Sequence, residues 1–159
     1  MPALTRSGMA GRTWAVLAGL AVIAAAAATG YLWHEMQRRP RADPADSTLI
    51  ALGRSVYEQH CASCHGAKLE GQPDWQRRLP DGRLPAPPHD PTGHTWHHRD
   101  QELFDMTKDG PSAVVPAYHS DMPAFRGVLS DREIWAVLAY IKSTWPPEIR
   151  ARQPQTKEQ

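Results

Sequence analysis

Cys61, Cys64 and His65 are the residues whose types and spacing could do chemistry, in the run Cys61-Ala62-Ser63-Cys64-His65. Two thiols at i and i+3 lie on one side of a helical turn. So placed, each can add across one vinyl group of a single planar macrocycle. The histidine that follows is then carried under the ring centre, where its imidazole can bind a metal. This is the attachment sequence of a c-type haem. The chain has two cysteines in all, so no thiol is left for a disulfide framework or a four-thiolate zinc site. Two other readings compete. A redox dithiol would sit between a strand and a helix, and no strand pattern precedes Cys61. A zinc site would need histidines from further along the chain.

The elements that must position this turn can be read on both sides of it. Asp46-Ser47 opens a helix with Leu49, Ile50, Val56 and Tyr57 as its apolar residues, and the helix runs into Cys61. Gly53 lies inside it, at a cost of up to about 1 kcal/mol relative to alanine. Close approach of another helix and simple tolerance explain that glycine equally well. Ala67 to Thr95 has little helical periodicity and reads as a long loop with a turn at Pro80-Asp81-Gly82. Loops of that length are usually functional or packed on a ligand. Asp100 to Lys108 reads as a short helix capped by Asp100 and stopped by Gly110-Pro111. Ser130 and Glu133 form a capping box. Behind it Ile134, Val137, Leu138 and Ile141 make an apolar stripe that ends before Pro146-Pro147.

Gly53-x-x-Val56-Tyr57-x-x-x-Cys61-x-x-Cys64-His65-Gly66 resembles the first helix and haem site of class I (mono-haem) cytochromes c, of the membrane-anchored bacterial type. The resemblance covers about residues 47–146. It implies an all-α cytochrome c fold around one haem, bound covalently through Cys61 and Cys64, with His65 on the iron. It also implies a glycine where the first and last helices cross, and a proline carbonyl that accepts a hydrogen bond from the iron-binding histidine. Pro87 and Pro88 are the candidates for that proline. Met122-Pro123-Ala124-Phe125 resembles the family's distal segment, which makes Met122 the second axial ligand. Met106 lies in a helix where packing alone accounts for it. His119 is the alternative ligand and would lower the potential relative to a thioether.

Trp14 to Trp33 is 20 residues without a charge. As a helix it spans about 30 Å, the thickness of a hydrocarbon core. Arg6 and Arg12 precede it, and Trp14, Tyr31 and Trp33 bracket it. The alternative is a cleaved signal, since Ala24 to Ala28 offers small-residue cleavage sites. Arg38, Arg39 and Arg41 leave the positive-inside rule undecided. Haem attachment in the bacterial systems of the family occurs outside the inner membrane, so the resemblance implies a single-pass protein whose haem domain faces the periplasm. The expected organisation is a basic segment 1–13, an anchor 14–33, a proline-containing linker 34–45, a cytochrome domain 46–147 and a polar, disordered tail 148–159.

The net charge is +1. The first 45 residues carry five Lys/Arg against two Asp/Glu, and the remainder 13 against 15. That distribution suits a membrane-associated leader and argues against nucleic acid. His89, His94, His97 and His98 surround Trp96 and could form a second metal site, with copper as the candidate metal. Their spacing fits no ligand pattern, and a polar segment at the haem edge explains them as well. With both axial positions filled by protein there is no place for a substrate, so the expected function is single-electron transfer, not catalysis. The partners would be a redox donor and an acceptor such as a terminal oxidase or copper enzyme. The alternatives are a haem subunit of a larger oxidase or dehydrogenase, and a haem enzyme or gas sensor with a labile distal ligand.

Overall fold

The structure, a computed structural model, describes residues 7–38 and 41–153. Readings of residues 1–6, 39–40 and 154–159, including the end of the polar tail, lie outside the described residues. The chain divides into two compact units, Met1–Pro40 and Arg41–Gln159. Among the described residues the regular structure is helical, with no β-strand.

The first unit contains α1, Ser7–Arg38. It is longer at both ends than the 14–33 segment expected. Glu35, Met36, Gln37 and Arg38 are strong helix formers that extend it into the stretch expected as linker, and Pro40 follows in sequence. Within α1, Trp14–Glu35 is long and apolar enough to cross a membrane. The Thr29 hydroxyl donates to Ala25 O at 2.8 Å, so the helix satisfies its own polar group on the apolar stretch.

In the second unit, residues 41–46 are part of the domain. Ala42 is fully buried, and the Arg41 guanidinium lies 5.7 Å from the centre of the Trp135 ring. Asp46 then caps α2, Ser47–His60, accepting from the backbone N–H groups of Thr48 and Leu49 at 3.0 Å. A helical turn α3, Ala62–His65, follows directly. Next come α4, Asp100–Asp109, α5, Asp131–Ser143, and α6, Pro147–Arg152.

The core lies where α2 crosses α5. Gly53 is the point of closest approach: a Cβ there would stand 1.9 Å from the carbonyl oxygen of Ala136. Close crossing, not tolerance, is therefore what this glycine serves. α5 is buried well beyond the stripe of Ile134, Val137, Leu138 and Ile141. Trp135, Ala136 and Ala139 are buried too, because α4 covers a second side of the helix, with Phe104 stacked on Trp135 at 4.3 Å.

The capping box of α5 is formed. The Ser130 hydroxyl accepts from Glu133 N–H, and the Glu133 carboxylate accepts from Ser130 N–H at 2.8 Å. The hydrogen bonds from Ser130 hold the Glu133 carboxyl below its ordinary range. A group with a depressed folded-state pKa contributes stability above its unfolded pKa and loses it as pH falls through the folded value. Ser130→Ala should therefore lower Tm at neutral pH. The gap to wild type should close on acidification through the carboxylate range, measured by thermal melts across pH.

Two expectations are corrected here. Asp100 does not cap α4; it is the helix's first residue. The cap position is Arg99, whose N–H donates to Glu102 Oε2 at 3.2 Å. The Asp100 carboxylate instead accepts from Lys142 Nζ at 2.8 and 2.7 Å and from Gln153 Nε2 at 2.7 Å. The segment from residue 148, expected as a disordered tail, begins in α6. Ile149 packs on the core and Gln153 is buried, also donating to His98 O at 3.1 Å. Lys142→Met would leave the Asp100 carboxylate without its cation. Asp100 keeps some contact with solvent, so the expected loss is about 2 kcal/mol, below that for a fully enclosed pair. Chemical denaturation checks this, with Lys142→Met/Asp100→Leu recovering part of the loss.

Candidate haem site

The α2–α5 crossing fixes the end of α2, and the end of α2 fixes the thiols. Cys61 follows the last residue of α2 and its N–H donates to Tyr57 O at 2.9 Å. His65 N–H donates back to Cys61 O at 3.0 Å, so Cys61 to His65 is one helical turn. Neither cysteine is in a disulfide; Cys61 is partly buried and Cys64 exposed. Burial, and then the neighbouring Cys64, push the Cys61 thiol up to about 11. A redox dithiol needs a thiolate near neutral pH, and this environment opposes one. A zinc site finds no support either. Among the described residues no group of three or more His, Cys, Asp or Glu side chains could hold a metal ion.

His65 is buried, 8% exposed. Its Nδ1 lies 2.8 Å from Pro87 O. A carbonyl can only accept, so Nδ1 carries the proton and Nε2 carries the lone pair. Burial lowers the pKa of the ring, and the Pro87 hydrogen bond opposes that shift. The imidazole is thereby held neutral and oriented, the state a metal-binding histidine requires. Pro88, the other candidate, does not meet His65. It is buried, and its carbonyl accepts from Thr95 Oγ1 at 3.4 Å. The Tyr57 hydroxyl donates to Gly66 O at 2.8 Å and tethers α2 to the turn after the histidine. Burial raises that phenol well above its ordinary pKa, so it stays a donor.

The loop from 66 to 94 is folded back on this turn. His89 N–H donates to Leu69 O at 2.8 Å, Gln72 N–H to Ala86 O at 2.9 Å, and Trp145 Nε1 to His89 O at 2.7 Å. Gly93 lets the backbone pass Pro88; a Cβ there would stand 2.0 Å from Pro88 O. Arg83 reaches out of the loop to pair with Asp121, next to Met122.

Met122 is partly buried against the core, and its N–H donates to Ser120 Oγ at 3.1 Å. The chain just after it is anchored: Phe125 is buried and its N–H donates to Thr107 O at 3.1 Å, and Arg126 binds both Asp109 oxygens at 2.6 Å. Met106 also packs on the core, from α4. His119 is exposed.

The four histidines do not converge on one point, although His94 and His98 still meet edge-on at 5.5 Å. His94 stacks on Trp75 at 5.2 Å, His97 on Trp96 at 3.7 Å, and His98 Nδ1 lies 3.5 Å from Glu102 Oε2. His89 turns inward and stacks on His65. Its part in the site was missed from the sequence, where it read as one of four histidines in a second metal site or a polar haem-edge segment. Its position two residues after the proline that meets His65 was the available signal.

The donor set fits a covalently bound haem: two unpaired thiols on one turn, and a neutral imidazole whose Nδ1 is engaged and whose Nε2 is left for iron. A helical domain carrying that turn defines a c-type cytochrome. The family model described as "Cytochrome C oxidase, cbb3-type, subunit III" matches residues 48–141, more than half of the chain, and the chain belongs to that cytochrome c family. It is similar to cytochrome c-555 of Prosthecochloris aestuarii, 33% identical over 82 residues that cover 48% of this chain and 83% of that protein. It is also similar to proteins named cytochrome bc1 complex cytochrome c subunit from Mycobacterium bovis and Mycobacterium tuberculosis (strain H37Rv). Each is 46% identical over 33 residues, or 21% of this chain, which span 12% of the relative's length. No solved structure gives a significant match.

The protein is thus an all-α electron-transfer cytochrome c, and its cofactor is haem c held through Cys61 and Cys64. The haem iron supplies one-electron exchange.

Proposed function

We propose that this protein is a membrane-anchored electron carrier with a single haem whose axial ligands are His65 and Met122. The observation that carries the ligand assignment is the His65 Nδ1 to Pro87 O hydrogen bond, which leaves Nε2 as the metal-binding nitrogen. Met122 supports it as a soft ligand on a short loop held at Phe125 and Arg126. The chain's own residues do the rest. Cys61 and Cys64 hold the cofactor, Pro87 orients the proximal ring, and both axial positions are closed to substrate.

The anchor is the 14–33 stretch of α1, and the cytochrome domain is 46–147, to which the packed residues 41–45 and 148–153 also belong. The domain faces the periplasm from the bacterial inner membrane, because covalent haem attachment in this class takes place there. The donor is a membrane or periplasmic redox protein, and the acceptor a terminal oxidase or copper enzyme. A second reading, a haem subunit within a larger complex, draws on names: the matching family is described as an oxidase subunit, and the mycobacterial relatives as bc1 complex subunits. Co-purification from membranes in mild detergent separates the two.

Met122→Ala should abolish the weak far-red absorption band of methionine-ligated ferric haem and open the reduced iron to carbon monoxide. His119→Ala should change neither. A persisting band in Met122→Ala would overturn the assignment. Rapid carbon monoxide binding by the native reduced protein would favour a sensor or enzyme.

A further inference from the structure

The His65 ring is held at one point by Pro87. A single hydrogen bond fixes Nδ1 but leaves the ring free to swing about the N–H···O line. A second restraint comes from His89. The two imidazoles stack with centroids 4.0 Å apart and planes 22° from parallel. His89 is itself held on several sides. Its Nδ1 lies 2.8 Å from the hydroxyl of buried Thr95. Its backbone N–H and carbonyl are bonded to Leu69 O and Trp145 Nε1. The Tyr57 ring meets it edge-on at 6.4 Å. A ring clamped in this way cannot turn without breaking the Thr95 contact, so it is a flat wall against one face of His65. A leucine would fill similar space without desolvating an imidazole and a hydroxyl. The polar pair is therefore costly packing, which points to a role beyond filling.

We propose that His89 is a positioning residue for electron transfer: it sets the plane of the His65 ring and holds a polar group against the proximal ligand. Thr95 is the residue that locks it. This rests on His65 being an axial ligand. The plane of an axial imidazole governs how it overlaps the iron orbitals. A polar neighbour favours the more positively charged ferric state, so its loss should raise the reduction potential.

The test uses the matured full chain in detergent, with His89→Leu, His89→Phe and Thr95→Val. The readouts are the hyperfine-shifted haem methyl resonances of the ferric protein, which report the imidazole plane, and the midpoint potential. His89→Leu should redistribute the methyl shifts and raise the potential. His89→Phe, which keeps a flat ring, should restore the shift pattern and not the potential. Thr95→Val should move the shifts in the same sense as His89→Leu, and it serves if the Leu variant does not mature. Unchanged methyl shifts in His89→Leu and in Thr95→Val, in protein that retains covalent haem, would overturn the proposal. His65→Ala separates the two levels. If the axial signature survives that change, the ligand assignment has failed and the proposal with it. If the signature is lost there but indifferent to His89 and Thr95, the role of His89 alone has failed.

Discussion

Cys61→Ala/Cys64→Ala should give a chain without covalent haem in which the loop from residue 66 to 94 is no longer ordered. The reason lies in what that loop buries. Leu69 is its one member of the hydrophobic core; Pro88 and Gly93 are buried but small, and Leu79 is exposed. Fixing a residue's backbone costs about 1–2 kcal/mol. The bonds between Gln72 and Ala86, and between His89 and Leu69, do not offset that over such a length. The porphyrin is the apolar surface on which the loop can pack. By contrast α2, α4 and α5 share Val56, Tyr57, Phe104, Ile134, Trp135 and Leu138. The loss should therefore fall first on the loop and the His65–Pro87 contact, and then on overall stability. Haem staining of denaturing gels checks the first part. Hydrogen exchange checks the second: loop amides should lose protection before those of α5. Wild-type protection across 66–94 in the variant would sink this account.

Gly53→Ala should cost about 3 kcal/mol of stability, at the upper end of the usual range for overpacking. Helix propensity alone predicts the opposite sign, a gain of about 1 kcal/mol. The decisive facts are the 1.9 and 2.4 Å separations between the added Cβ and the Ala136 carbonyl oxygen and carbon. These are backbone atoms, so no rotamer change relieves the clash; α5 itself must shift. Because α2 carries Cys61 at its end, that shift also moves the haem-binding turn. Ala136→Gly should not rescue the variant, since the Ala136 carbonyl remains. Urea unfolding of the matured proteins measures the cost. Equal or greater stability of Gly53→Ala would refute the close crossing as the reason for this glycine.

What could be read without coordinates was local. The Cys61–His65 turn, the Ser130–Glu133 capping box, the apolar run of α1 and the stripe of α5 each lie within a few helical turns, and each has its own short-range physical cause. The resemblance to class I cytochromes c rested on the same kind of feature. Where reading failed, a distant partner had intervened. Asp100 looks like a helix cap until Lys142 and Gln153, 42 and 53 residues away, claim its carboxylate. Residues 148–153 look like tail until Ile149 finds the core. The four histidines look like one cluster until the loop turns His89 inward.

By itself the sequence determined the chemistry: two thiols and an imidazole on one turn admit a covalent haem, and no other cysteine competes. Tertiary structure decided how that chemistry is held. Pro87, not Pro88, meets His65, because the loop's path past Leu69 and Gly93 presents one carbonyl and turns the next toward Thr95. Gly53 serves a helix crossing because Ala136 lies against it, and His89 stands against His65 because Thr95 and Trp145 lock it there. Neighbours along the chain specify what a residue can do. Contacts between residues far apart in sequence specify which way it faces, and no local pattern encodes those.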